Sequence, residues 1–428
     1  MADLPTMVRR CEVYVARLVA GVRVRTVGAI LRCRDRGFEG ARMTFERPLG
    51  ALLRASVASD GPSLDEVAAG LPPEAFDGLA RAARFHGIPG YVYRATAGLR
   101  QLPGSERDLL AELRRETVRR HLRAIGDLRF LAGVLDAASI PWLVFKGPAL
   151  AGPVHGSPEL RFYRDLDLLI PPARFGAAVE VLEAAGCQVP VHDWRYFRDG
   201  LKGEIDVFMP SGTHLDLHWH LVNEIPTRQP YTIDLAGLFE RRHEIAVGTD
   251  RFPTLSYPDT AVYVALHAML SPTQRLIGMK DLQLLLETPA LRFEGLLAHA
   301  RMWRVELPFL TAVRQMQRTI GPAAGVRPPS PTGMERAWEG VCGASGRISP
   351  LERQDGSPSF GRLVSRSVRD DARASLRLLV RNAGIVARQG ASGAGRRSGT
   401  RQQPSEVRQP FGHDLEGRAR YFEAVARQ

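Results

Sequence analysis

The chain reads as an α/β (α+β) core with helical segments before and after it, and three observations point there. Apolar residues recur at three- and four-residue steps along a stretch ending at Ala138. Short apolar strands alternate with a helix between Ile140 and Leu221, and a helical rhythm returns from Tyr257. With 428 residues, 44% of them hydrophobic and 24% charged, the chain can bury a substantial core and has room for two or three domains.

Residues 1–103 form an Arg-rich helical N-terminal region, in which FDGLARAARFHGIPGYVYRATAGL (76–99) keeps helical spacing except at Gly87–Gly90. The core is expected over 104–250. It opens with a long helix capped by Ser105, whose apolar stripe is Leu110, Leu113, Leu122, Ile125, Leu128, Leu131 and Leu135. IPWLVFKG then reads as a buried strand ending at Gly147 and turning into a short helix near Pro148. DLDLLI (165–170) is a second strand, and 172–186 a helix that starts after Pro171 and stops at Gly186. CQVPVHD, EIDVFMP (204–210) and HLDLHWHL (214–221) are further strands.

Residues 251–335 read as a helical domain built on PDTAVYVALHAML, MKDLQLLLE and helix near 293–320. The remainder, 336–428, is expected to be a basic, largely disordered tail. Residues 389–405 (QGASGAGRRSGTRQQPS) hold nothing apolar larger than Ala, whereas 362–388 has the pattern of one basic amphipathic helix.

The formal charge is +12, but the 17 basic and 9 acidic residues from Arg336 onwards carry most of the excess. The body, without a basic stripe or interleaved aromatics, argues against a polynucleotide acceptor. The tail's basic helix and Arg/Gly/Ser linker suit an anionic membrane, nucleic acid or an acidic partner, or form a solvated appendage. Lysine occurs only at Lys146, Lys202 and Lys280, so a retained ammonium carries some weight. The four cysteines lie far apart without a CxxC pair, which argues against a disulfide framework or structural zinc. No uninterrupted apolar run reaches about 18 residues and the start lacks an apolar signal region, so a cytoplasmic protein is expected.

The chemistry concentrates at Asp165-Leu166-Asp167. Strand alternation puts both carboxylates on one face while Leu166 and Leu168 point into the core. Two such carboxylates repel, and a hard, oxygen-ligated ion such as Mg²⁺ suits the gap between them. A solvated strand edge is the plain alternative. Lys146-Gly147 ends the preceding strand at a strand–turn–helix junction, whose backbone N–H groups and dipole suit a phosphate. Arg161 and Arg164 stand just ahead of the carboxylate pair and could hold phosphate oxygens. Asp216 offers a third carboxylate on a later strand, with Asp206 in EIDVF as the alternative that the surrounding DLHW context disfavours.

The order Lys-Gly, DxD strand, lone Asp resembles the polymerase-β-type nucleotidyltransferase superfamily. LVFKGPALA, LRFYRDLDLLIP and HLDLHWHL are similar, more closely, to the uncharacterised nucleotidyltransferase family of bacterial biosynthetic clusters. The similarity extends over about residues 70–320 through AARFHGIPGYVYRATAGL, LSYPDTAVYVALHAML and RLIGMKDLQLLLE. It implies a polymerase-β-like core, an EC 2.7.7-type activity, an NTP such as ATP as donor, and two Mg²⁺ ions. The acceptor would be a hydroxyl or phosphate of a small molecule or peptide in natural-product tailoring. On this resemblance Asp165, Asp167 and Asp216 are the metal-binding, catalytic residues, and Lys146, Gly147, Arg161, Arg164 and His218 serve the nucleotide. Two features depart from the superfamily: Lys-Gly stands where Gly-Ser is usual, and 17 residues separate Gly147 from Asp165.

Two further readings compete. One is a nucleotide- or peptide-binding protein that keeps the fold without turnover. The other is a zinc-dependent hydrolase using His214, Asp216, His218 and His220, which alternation places on one face, although no HExxH helix accompanies them. His267 and Asp281, on adjacent helices, either line the cleft or bond one another. Lys202 and Lys280 are expected in solvent, and His86 at a helix end.

Overall fold

The computed structural model describes residues 46–191, 193–271, 274–345, 360–392 and 414–428. Its centre is a six-stranded mixed sheet, ordered β3–β4–β2–β1–β6–β5. The strands are β1 (Leu143–Val144), β2 (Asp165–Leu169), β3 (Glu204–Phe208), β4 (His214–His218), β5 (His243–Val247) and β6 (Asp250–Thr254). β2 and β4 run parallel, with Asp167 opposite Asp216, and β3 lies antiparallel outside β4. β1 is antiparallel to β2 and parallel to β6.

The helices that position the site are α1 (Gly104–Ala137), α2 (Pro148–Ala151), α3 (Phe175–Ala184), α4 (Tyr257–Leu270), α5 (Leu276–Leu286), α6 (Glu306–Ile320), α7 (Phe360–Arg366) and α8 (Leu415–Ala426). Alternation along the strands sends their apolar residues into two cores. Leu166, Leu168, Ile205, Val207, Leu215 and Leu217 pack with α3, α8 and the end of α1. Leu143, Phe145 and Leu169 face the other way, into a larger core built with α4, α5 and α6. Asp165 and Asp167 alternate in step with Leu169, so the carboxylates open towards these helices.

α1 is about 51 Å long at 1.5 Å per residue and joins the two cores, with Leu110 in the first and Leu128, Leu131 and Leu135 in the second. Leu122, from the expected apolar stripe, is 63% exposed between them. The helix starts at Gly104 behind Pro103 rather than behind a Ser105 cap.

Several sequence expectations need correction. CQVPVHD forms only the bridge Gln188–Phe208, because Pro190 cannot donate to a ladder and the chain turns away; His192 lies outside the described residues. The β5–β6 hairpin was not anticipated, and it carries the sheet past 250, since Val144 of β1 pairs with Thr254. The residues of 1–45 and 393–413, including Cys11, Cys33 and most of the expected disordered stretch, lie outside the described residues.

The described part of 336–428 is not disordered but helical and packed. Trp338, Val364, Leu376 and Leu379 are buried, and the single expected amphipathic helix is two helices, α7 and Ala372–Ser392. α8 docks on the far side of the sheet because Tyr421 and Val425, one turn apart, are both fully buried there. The Tyr421 hydroxyl donates to the Lys202 carbonyl at 2.6 Å and accepts from Trp219 Nε1 at 3.1 Å. Arg418 forks onto the Glu183 carboxylate at 3.0 and 2.5 Å. Tyr421→Ala should therefore cost about 3–5 kcal/mol and Tyr421→Phe about 1–2 kcal/mol, read from urea unfolding; an undocked tail would leave both variants at wild-type stability. Among the described residues no helix is long and apolar enough to cross a membrane.

Candidate active site

β1 stops after two residues at the turn Lys146-Gly147, where Gly147 adopts φ +51° and ψ −115°. A Cβ there would sit 3.3 Å from both the Asp165 carbonyl and the Tyr163 ring, so the turn hugs the start of β2. α2 differs from the expected phosphate-binding helix. It has four residues, Pro148 has no N–H, and Ala149, Leu150 and Ala151 donate to the carbonyls of Lys146 and Gly147. The free backbone donors read from sequence are thus already bonded.

Lys146 Nζ lies 2.5 Å from Asp167 Oδ1, with the lysine 18% and the carboxylate 3% exposed. Burial disfavours both charges. Each nevertheless outweighs it for the other, so the ammonium titrates above its ordinary range and Asp167 well below the carboxylate range. His218 Nε2 approaches the same Oδ1 at 3.3 Å. Its Nδ1 is 3.1 Å from Glu204 Oε2 but makes no aligned hydrogen bond.

Asp216 has no comparable cation. Burial, then the charges of Asp167, Asp165 and Glu204, push its pKa up to about 7, with His218 the opposing influence. Ligand atoms of Asp165, His214 and Asp216 lie within 4.8 Å of one another, as do those of Asp167, Asp216 and His218. Three crowded carboxylates with a carboxyl held near neutrality fit a divalent cation, which would relieve the repulsion that raises Asp216.

All of these except His214 line a cleft of about 710 Å³ between the sheet and helices α4 to α7. The structure brings Lys146, Gly147, Arg161, Asp165, Asp167, Asp216 and His218 together on its walls. Arg164 is exposed and absent from the lining. Asp206 is also outside it, bonded to His214 at 2.8 Å on the outer strand. β4 ends before His220, whose Nδ1 accepts from Val222 N–H and whose pKa burial and Arg228 push down to about 3. The four-residue histidine–carboxylate face read from sequence therefore loses one member.

Arg161 reaches the cleft but its guanidinium is held by Asp281, Nε and Nη2 each at 2.8 Å from a carboxylate oxygen, while Nη1 faces the Gly147 carbonyl at 3.4 Å. Asp281 also accepts from His155 Nε2 at 2.6 Å, and His155 Nδ1 meets the Tyr91 hydroxyl at 2.7 Å. Burial lowers the His155 pKa, which keeps the ring neutral: Tyr91 then donates to Nδ1 and Nε2–H donates to Asp281. Asp281 does not bond His267; that ring lines the cleft separately, neutral because burial pushes its pKa down to about 3. Lys202 is not in solvent but sits 3.2 Å from Glu224 and over the Tyr196 ring, and Lys280 donates to Gln283. His86 is fully buried, with Leu276 N–H 3.4 Å from its Nδ1.

Glu204, His155 and Tyr91 were missed from sequence. Glu204 had a usable signal, since it alternates in step with Asp206 on β3 and pairs across to His218; the other two sit among residues whose pattern reads only as helix or turn. A family model described as an uncharacterised nucleotidyltransferase matches residues 72–321, more than half of the chain. No curated protein and no solved structure matches it.

Proposed function

Because the chain belongs to the uncharacterised nucleotidyltransferase family, we propose that it moves a nucleoside monophosphate from an NTP to a hydroxyl or phosphate of a small molecule or peptide, with a divalent metal. The observation that carries this reading is the set of three carboxylates on paired strands β2 and β4, facing a cleft large enough for a small-molecule substrate.

Asp165, Asp167 and Asp216 would hold the metal, with His214 and His218 at its edge. When bound, divalent ions such as Mg²⁺ would supply positive charge to offset what develops as an acceptor oxygen attacks the α-phosphate and pyrophosphate leaves. The two carboxylates in each donor group suit Mn²⁺ as well as Mg²⁺.

The chain's own residues prepare that chemistry. Lys146 fixes Asp167 in its charged form, and His218 holds the same carboxylate oxygen from the other strand. Gly147 lets the turn close onto the start of β2, where a Cβ would crowd the Asp165 carbonyl and the Tyr163 ring, and Arg161 braces that turn through the Gly147 carbonyl. Val264, Met269, Ile277, Met279 and Leu282 give the helical wall an apolar surface for the nucleobase and exclude water from the reacting groups.

Label position tests the reading. With NTPs carrying label on the α- or the γ-phosphate, incubated with Mg²⁺ and a pool of small metabolites, the α-label should move to a new product while pyrophosphate accumulates. Transfer of the γ-label instead identifies a phosphoryl transferase. The non-catalytic alternative draws on Lys146 already neutralising Asp167; it predicts NTP binding with no pyrophosphate formed.

A further inference from the structure

We propose that Tyr91, His155 and Asp281 are positioning residues of the active site, a buried hydrogen-bonded network that fixes Arg161 against the Lys146-Gly147 turn and so sets where Lys146 meets Asp167. The inference rests on the proposed transferase reading for what the turn serves.

The network starts in a segment that the reaction does not otherwise use, residues 76–99. Helix Leu79–His86 ends at Gly87, in the left-handed region at φ +74°, and helix Pro89–Ala95 follows at once. The Gly87 carbonyl accepts from Phe162 N–H at 3.1 Å. A Cβ on Gly90 would stand 2.0 Å from the Glu159 carbonyl, so helix and loop backbones touch there and no side chain fits between. Arg114 of α1 holds the Glu159 carboxylate at 2.6 Å. The loop that delivers Arg161 and then β2 is therefore seated on this helix pair. α5 closes the same corner: a Cβ on Gly87 would stand 2.8 Å from Ile277, and Asp281, one turn further along α5, reaches Arg161.

Tyr91, His155, Asp281 and Arg161 then run in series, none of them more than 8% exposed. The Tyr91 hydroxyl donates to His155 Nδ1 at 2.7 Å, and His155 Nε2–H donates to Asp281 Oδ1 at 2.6 Å. Arg161 grips both oxygens of that carboxylate at 2.8 Å and turns Nη1 to the Gly147 carbonyl. Charge pairing alone needs only Arg161 and Asp281. His155 and Tyr91 add orientation, because they fix the rotation of the carboxylate and through it the plane of the guanidinium. The Gly147 carbonyl anchors the turn, since it also accepts from Leu150 and Ala151 N–H. On the other side the Tyr163 ring lies against Gly147, and its hydroxyl meets His121 Nδ1 at 3.0 Å. The turn is thus clamped from two sides, one residue from the Lys146 ammonium.

Tyr91→Phe and His155→Asn test the proposal, because each leaves the Arg161–Asp281 ion pair in place. Tyr91→Phe removes a single hydroxyl and should fold. Deuterium exchange read by mass spectrometry follows the turn through the Ala149, Leu150 and Ala151 amides, which donate to its carbonyls, with α8 on the far side of the sheet as reference. Amine acetylation reads Lys146 against Lys202, two of the three lysines in the sequence.

In both variants the turn amides should exchange roughly threefold faster or more while α8 is unchanged. Lys146 should acetylate faster relative to Lys202. With the metabolite pool as acceptor, pyrophosphate release from NTP and Mg²⁺ should lose about tenfold in kcat while KM stays within about twofold, since misplacement rather than lost binding is the defect. Turn exchange and Lys146 acetylation equal to wild type in both variants overturn the proposal. Faster exchange spread evenly to α8, the mark of a merely structural role, overturns it too, as does a loosened turn with kcat unchanged. If wild type turns over no NTP, the transferase reading fails alone, because exchange and acetylation still decide whether the network holds the turn.

Discussion

Replacing Asp216 by asparagine should stabilise the metal-free protein at pH 8 and at the same time remove the metal-dependent activity proposed for it. In the folded chain the Asp216 pKa stands at about 7 against an ordinary 3.8. Between those values the folded state holds a proton that the unfolded chain has released, so stability falls as pH rises from about 4 to 7 and is level above. At roughly 1.4 kcal/mol per pH unit the loss reaches at most about 4 kcal/mol, less any solvent screening of a carboxylate that is 22% exposed. The neutral amide of Asp216→Asn would carry no such penalty. Unfolding midpoints of wild type and Asp216→Asn should converge near pH 4, separate up to about pH 7 and stay apart at pH 8. Asp167 and Asp281 act in the opposite direction: both titrate below 3.8, and their contribution disappears as pH falls beneath it.

The same proton competes with metal. Asp216 must be ionised to ligate, so Mg²⁺ should stabilise wild type more at pH 8 than at pH 6. Turnover of Asp216→Asn should fall by about a thousandfold or more, corresponding to several kcal/mol of lost metal stabilisation. Equal Mg²⁺ stabilisation at the two pH values would show that Asp216 is no ligand.

The second large effect is expected at Lys146. Lys146→Met leaves Asp167, 2% exposed, without its closest cation. Breaking a buried pair from one side costs about 3–5 kcal/mol, because an uncompensated charge stays inside. The Asp167 pKa should then rise, so the variant should be least stable at high pH and recover as the carboxyl takes a proton. Lys146→Met/Asp167→Asn should regain most of the loss, and the cycle measures the coupling. If Lys146→Met is as stable as wild type throughout, the ion pair is not what holds Asp167 charged.

The part of this site that was legible in the sequence is the part written in strand alternation. DLDLL and HLDLH each carry their charges on one face, with Leu166, Leu168, Leu215 and Leu217 on the other, so β2, β4 and the shared face of Asp165, Asp167 and Asp216 follow from period two alone. The β5–β6 hairpin was not legible because Glu244, Asp250 and Arg251 interrupt its apolar pattern, although Gly248-Thr249 between paired Val247 and Asp250 is a two-residue turn. Arg161 was read as a phosphate ligand because its partner, Asp281, lies 120 residues away on α5. α8 was lost for the same reason: Tyr421 finds Trp219 across an Arg/Gly/Ser stretch whose composition speaks only for itself. Long-range pairing, not local propensity, decided both.

The most direct test is calorimetric titration of each NTP, with and without Mg²⁺, into wild type and Asp165→Asn. The carboxylate account predicts that one or more NTPs bind wild type only when Mg²⁺ is present, and that Asp165→Asn loses this binding while keeping its fold. NTP binding that ignores Mg²⁺, or that survives unchanged in Asp165→Asn, would contradict it.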